Sequence, residues 1–213
     1  MRQSAISFRS GRLNLDGIIS IPDGISGDLP ALVVCHSHPM LGGSMDDAVV
    51  VAICRATDAI GAATLRFNFR GGGDSDGRFT NGAEEHRDAR AALDVLRRWP
   101  GVSGKRVAIA GYSFGAAMIL VGFRRLKAAR AVALVAPTVQ SVRNKRFQQD
   151  ARPRLVIASR DDKIAPSLAI QQELAGARQP LRFEELETAD HSMRGHEAEI
   201  GQIVADFVSS SLS

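Results

Sequence analysis

The sequence predicts an α/β protein with a mostly parallel central sheet and helices on both of its faces. Three observations carry that prediction. From residue 31 to the end, apolar runs of strand length alternate with segments whose apolar residues recur at helical spacing. The runs at 31–35, 131–135 and 155–158 are apolar throughout, the pattern of strands buried on both faces. An opening segment of alternating apolar and polar residues precedes them. That order of elements argues for parallel strands joined by helical crossovers of the usual hand, with ligands at the carboxyl ends of the strands.

Ile6-Ser7-Phe8 and Leu13-Asn14-Leu15 alternate around Ser10-Gly11 and predict a hairpin continuing through Ile18 to Ile21, closed by Pro22-Asp23-Gly24. Ala31 to Cys35 is the first buried strand, and it empties into His36-Ser37-His38-Pro39-Met40-Leu41-Gly42-Gly43, a loop by composition. Val49, Ala52, Ile53, Ala56 and Ile60 share one helical face, and Gly61 is a stop signal. Thr64 to Phe69 reads as a strand and 70–77 as a polar, glycine-rich loop. Glu84 to Trp99 is a helix with Ala89, Ala92, Leu93 and Leu96 on one face, ended by Pro100-Gly101. Val107 to Ala110 is a strand, 116–121 a helix, and 131–135 and 155–158 are strands. Pro166 suits the first turn of a helix reaching about Ala175. Leu181 to Leu186 is the last strand, and Ile200, Ile203, Val204, Phe207 and Val208 mark a closing helix.

Length and composition bound the reading. A chain of 213 residues fits one domain, 1–213, with a sizeable core. The longest uninterrupted apolar run, Ala48 to Cys54, is too short to span a bilayer, and the first residues lack the apolar core of a secretory signal. A cytoplasmic location is therefore expected. Cys35 and Cys54 both sit in apolar surroundings and are expected as buried thiols. The net charge of +4 invites a nucleic-acid reading. The basic clusters at 124–127 and 143–146 are short, however, and one Trp and one Tyr supply no stacking surface, so no nucleic-acid partner is expected.

The chemistry centres on Gly111-Tyr112-Ser113-Phe114-Gly115, between an apolar strand and a helix that opens with small residues. Gly-x-Ser-x-Gly in that context is a nucleophile elbow: the serine is thrust above the sheet while the glycines clear the crossing of strand and helix. A serine hydroxyl needs a base, and the base an orienting acid, in the chain order serine, acid, histidine. Asp161-Asp162 follows the strand at 155–158, and His191 follows the strand at 181–186. His36, His38 and His86 precede the elbow, and His196 falls at the start of the last helix.

These motifs resemble the α/β-hydrolase superfamily, and within it the small bacterial hydrolases that lack a cap, similar to dienelactone hydrolases and carboxylesterases. The resemblance rests on His36-Ser37-His38-Pro39 with Gly42-Gly43-Ser44-Met45, on Arg66 to Gly71, and on Gly111 to Gly115, and it covers about 31–210. It implies Ser113 as nucleophile, His191 as general base and Asp162 as acid. Asp162 is preferred over Asp161 because Asp162 to Pro166 resembles the family's acid followed four residues later by proline. The backbone amides of Phe114 and His38 are the expected oxyanion donors, with Met40 as the fallback; Pro39 has no N–H. Only about twenty residues separate the strands at 131–135 and 155–158, so a cap is expected to be absent or reduced to one short helix.

Other motifs carry no chemistry. Gly71-Gly72-Gly73 lacks the phosphate-cradle pattern, and Asp74-x-Asp76 lacks the ligands and glycine of a calcium loop, so neither a metal nor a cofactor is expected. The expected activity is hydrolysis of a small ester or thioester through an acyl-serine. A peptidase or amidase with the same three residues, or a silent hydrolase fold used as a binding module, are the alternatives.

Overall fold

The computed structural model describes residues 2–24 and 27–213 and builds them around one eight-stranded sheet. Strands β1 (Arg2–Ser10) and β2 (Leu13–Ile21) form the antiparallel hairpin, turning at Gly11, whose positive φ of 62° suits glycine. Next come β3 (Leu29–Cys35), α1 (Ala48–Ala59), β4 (Ala63–Phe67), α2 (Glu85–Leu96) and β5 (Val102–Tyr112). They are followed by α3 (Phe114–Gly122), β6 (Val132–Val135), α4 (Val139–Val142), α5 (Lys145–Gln148) and β7 (Arg154–Ser159). The chain closes with α6 (Ser167–Leu174), β8 (Leu181–Leu186) and α7 (Glu197–Leu212). The strand order is β1-β2-β4-β3-β5-β6-β7-β8; β2 joins β4 antiparallel, and every later pairing is parallel.

Apolar residues on both faces of the central strands dictate the layers. In β3, Ala31, Val33 and Cys35 face α2 and α3, while Leu32 and Val34 face α1 and α7. Each fully buried Leu, Ile or Val in these layers contributes about 1.5–3 kcal/mol. Helices α1 and α7 lie so close that a Cβ on Gly201 would stand 2.7 Å from the Ala52 carbonyl oxygen. Cys35 and Cys54 are buried free thiols, and burial pushes the Cys54 thiol up to about 12, so neither offers a thiolate.

Several boundaries differ from those the pattern predicts; α2, for example, ends at Leu96 rather than Trp99. The strand expected over 64–69 ends at Phe67, because the Asn68 amide turns to the Asp16 carbonyl and the Phe69 amide to the His36 ring. The strand expected over 107–110 begins at Val102, since polar Ser103-Gly104-Lys105-Arg106 runs on as strand although only Ser103 of the four is buried. Pro166 stands just ahead of α6 rather than inside its first turn. Between β6 and β7 the chain makes two single-turn helices, α4 and α5, one more than expected, and no lid. Among the described residues no helix is long and apolar enough to cross a membrane.

Candidate active site

The turn from β5 into α3 holds Ser113 at φ 51° and ψ −106°, a conformation a non-glycine residue adopts at a cost of about 1–3 kcal/mol. The glycines on either side are sterically required. A Cβ on Gly111 would lie 2.6 Å from the Ala116 nitrogen, and one on Gly115 only 2.3 Å from the Cys35 carbonyl oxygen. The strained residue is held by its own amide, which donates to the Val135 carbonyl of β6 at 2.8 Å. Its carbonyl accepts the Ala117 amide as the first bond of α3 (3.0 Å).

The loops after β7 and β8 meet this hydroxyl. His191 Nε2 lies 2.8 Å from Ser113 Oγ, and His191 Nδ1 lies 2.7 Å from Asp162 Oδ2. The carboxylate holds the proton on Nδ1, which leaves Nε2 free to accept from the hydroxyl. Asp162 is 1% exposed, and its other oxygen, Oδ1, accepts the amides of Ile164 and Ala165, each at 2.8 Å. Burial pushes its carboxyl upward, but the bonds from His191 and the two amides outweigh burial and hold it below the usual carboxylate range. Asp161, its neighbour, is exposed. The Tyr112 hydroxyl donates to the His191 carbonyl at 2.8 Å, and the buried side chains of Ala189 and Met193 anchor the histidine's loop.

The loop after β3 is fixed from several sides. His36 is buried; its Nε2 accepts the Phe69 amide at 3.1 Å, so the ring proton sits on Nδ1 and is donated to the Ser37 carbonyl at 2.7 Å. Burial lowers the basicity of this ring, consistent with a neutral, structural histidine. His38 packs its ring edge-on to Phe79 and Phe114, with centroids 5.0 and 5.1 Å away. Its Nδ1 accepts the Met40 amide at 3.2 Å, which takes that amide out of use. The amides of His38 and Phe114 make no hydrogen bond among the described residues, and Phe114 is the first residue of α3, where an amide has no partner within the helix.

Asp47 was not singled out by the sequence reading. It stands just ahead of α1, where an aspartate ordinarily caps a helix, yet it makes no cap. One of its oxygens accepts the Ser37 amide and hydroxyl at 3.0 and 2.7 Å, and the other accepts the Ser44 amide at 3.1 Å. Gly43 completes the loop, since a Cβ there would stand 2.5 Å from the Ser37 carbonyl. The only sequence signal for Asp47 was its helix-start position, which points to a different job.

The remaining candidates lie apart from Ser113. His196 stands ahead of α7, against Thr188 and Glu199. His86 packs on α2 against Gly122. Asp76 accepts from the backbone and side chain of Asn14 and pins the 70–77 loop to β2. Among the described residues no three His, Cys, Asp or Glu side chains are grouped as metal ligands.

Ser113 opens into a cavity of about 640 Å³ lined by residues of the β3, β5, β7 and β8 loops and of α3. A hydroxyl, an imidazole and a buried carboxylate in a hydrogen-bonded row, beside two unengaged amides, form an arrangement able to attack a carbonyl carbon and hold the resulting oxyanion.

Comparison with known proteins agrees with this architecture. An uncharacterized protein of Rickettsia prowazekii is 27% identical over 191 residues, covering 86% of this chain and 80% of the relative. An uncharacterized protein of Mycobacterium tuberculosis is 28% identical over 183 residues, and the match spans 63% of that relative's length. Among solved structures, an α/β serine hydrolase homologue from Coxiella burnetii has a TM-score of 0.82 at 29% identity, covering 95% of this chain and 96% of that one. A member of the α/β serine hydrolases without a lid, from Xanthomonas campestris, has a TM-score of 0.81 at 25% identity, covering 99% and 95%. A model of the dienelactone hydrolase family matches residues 75–206, a stretch that includes Ser113, Asp162 and His191. The chain is thus a lid-less hydrolase of the α/β fold and belongs to the dienelactone hydrolase family.

Proposed function

We propose that the protein hydrolyses a carboxylic ester or thioester through a covalent acyl-serine intermediate. The observation that carries this reading is the unbroken row Ser113–His191–Asp162, at 2.8 and 2.7 Å, ending at the open cavity. In the first step Ser113 Oγ attacks the acyl carbon while His191 Nε2 takes the hydroxyl proton; the carbonyl π bond becomes the oxyanion's lone pair. The amides of Phe114 and His38 face that charge, and each such donor is worth about 2.7–4 kcal/mol in the transition state. As the oxyanion collapses, the bond to the leaving alcohol or thiol breaks and His191 returns the proton to it. Water, deprotonated by the same imidazole, then attacks the acyl carbon. As this second oxyanion collapses the acyl–Oγ bond breaks, His191 returns the proton to Ser113 Oγ, and the carboxylic acid leaves. Asp162 stays ionised throughout and stabilises the imidazolium formed in each half.

The test is p-nitrophenyl ester hydrolysis by the parent protein and by Ser113→Ala. A fall in kcat of at least roughly 10³-fold is expected. Undiminished turnover in Ser113→Ala would remove the reading.

A further inference from the structure

On the reading that Ser113 becomes acylated, the walls around it decide which acyl group fits. Among the described residues no lysine or arginine lines the 640 Å³ cavity. The Asp47 carboxylate in its wall is engaged by Ser37 and Ser44, and the imidazoles there belong to His38 and His191. The rest of the wall is largely apolar: Leu41, Val49, Phe114, Ala117 and Ile164. Two of these side chains stand out into solvent as lips, Leu41 at 84% exposure on the loop after β3 and Ile164 at 63% on the loop after β7. In the sheet, β5 and the serine above it lie between those two strands, so the lips flank Ser113.

The electrostatic surroundings point the same way. Burial raises the Tyr112 phenol beneath the site, and the carboxylates of Asp47, Asp162, Asp190 and Glu197 push it further up, so nothing there favours a second anion. Cations gather at a different place on the molecule. A separate cavity of about 950 Å³ gathers Arg9, Arg12, Arg70, Arg87, Arg90 and Arg98 and shares no residue with the first. An acyl chain bearing a carboxylate would lose hydration at Ser113 without meeting a cation, whereas each methylene of an uncharged chain gains from leaving water.

We infer that the acyl group this protein takes is uncharged and apolar, an aliphatic or aryl chain held between Leu41 and Ile164 against Val49 and Ala117, and that carboxylate-bearing acyl groups are rejected. Leu41 is then the lip through which charge selectivity can be rewritten, because it is exposed and a cation placed there would meet the incoming chain.

The experiment measures kcat/KM for p-nitrophenyl acetate, butyrate and hexanoate, for mono-p-nitrophenyl adipate and for p-nitrophenyl 4-(trimethylammonio)butanoate, in the parent and in Leu41→Arg. Labelling of Ser113 by a fluorophosphonate is checked in both proteins. In the parent, kcat/KM should rise by about threefold per added methylene toward hexanoate. The adipate and trimethylammonium esters should fall roughly 100-fold below their uncharged counterparts. Leu41→Arg should narrow the hexanoate-to-adipate gap by about tenfold or more. Adipate hydrolysed as well as hexanoate, a trimethylammonium ester preferred over butyrate, or an unchanged gap in Leu41→Arg would each overturn the inference while leaving the acyl-serine reading intact. No turnover of any ester together with no label on Ser113 would instead remove the acyl-serine reading, and this inference with it.

Discussion

Asp162 commits one carboxylate oxygen to the His191 ring and the other to the amides of Ile164 and Ala165. Its negative charge is stabilised three times over in a site closed to water. Asp162→Asn should therefore cost roughly 10⁴-fold in kcat on a p-nitrophenyl ester, because the amide favours the wrong ring tautomer. The same residue sets a pH dependence of stability. Its folded carboxyl titrates below its unfolded value, so the stability it contributes is complete above about pH 3.9 and is lost as pH falls through the depressed folded value. Urea titrations of parent and Asp162→Asn should show a gap in midpoint that is constant near neutrality and closes in strong acid. A gap that widens in acid would contradict this. At this scale the sequence was informative where a residue type carries one strong meaning. Ser113 was legible from its elbow glycines, and His191 from its place after the last strand. Between Asp161 and Asp162 the residues themselves were neutral; in the folded loop the first is exposed and the second buried. His36 was opaque, because nothing in a His-x-His-Pro string says which ring turns inward to meet the Phe69 amide.

Two elements hold the geometry, the elbow and the loop after β3. The elbow is packed so tightly that Gly115→Ala drives a Cβ into the Cys35 carbonyl, and a loss of about 3 kcal/mol or more is expected in urea unfolding. A loss below about 0.5 kcal/mol would mean the strand–helix crossing is looser than described. The loop depends on Asp47, which fastens Ser37 and Ser44 on either side of His38. Asp47→Ala should lower kcat about 10- to 100-fold with KM nearly unchanged, since on the proposed mechanism it loosens the loop that carries the His38 amide toward the oxyanion. A rise in KM at constant kcat would place Asp47 in substrate binding alone. Periodicity located most of the helices and strands, and failed where side-chain character and backbone pairing diverge. The polar start of β5 hides a strand, and apolar Phe69 looks like strand although its amide leaves the ladder for a histidine ring. Asp47 shows the limit of local rules: its position signals a helix cap, and its partners lie ten and three residues back.

Across the whole molecule, the order of elements made the sheet legible, because strands apolar on both faces need helices above and below. Helices α1 and α7 cover one side and α2 and α3 the other. The loops after β3, β5, β7 and β8 are thereby brought to one end. With only α4 and α5 between β6 and β7, no described residue of that connection forms a lid, and the cavity stays open to solvent. What pattern could not supply was the distribution of charge. A basic composition suggests a basic surface, but only the fold separates the arginine-lined cavity from the one around Ser113, whose described lining residues include no lysine or arginine. Whether Ser113 is the nucleophile is decided by covalent labelling. Cleavage after Arg106 and Arg124 releases the peptide 107–124, in which Ser113 is the sole serine. After treatment with a fluorophosphonate, the phosphonyl adduct should map to Ser113 and be absent in Ser113→Ala. A parent protein that takes no label, or a variant labelled as fully as the parent, would mean that Ser113 is not the nucleophile.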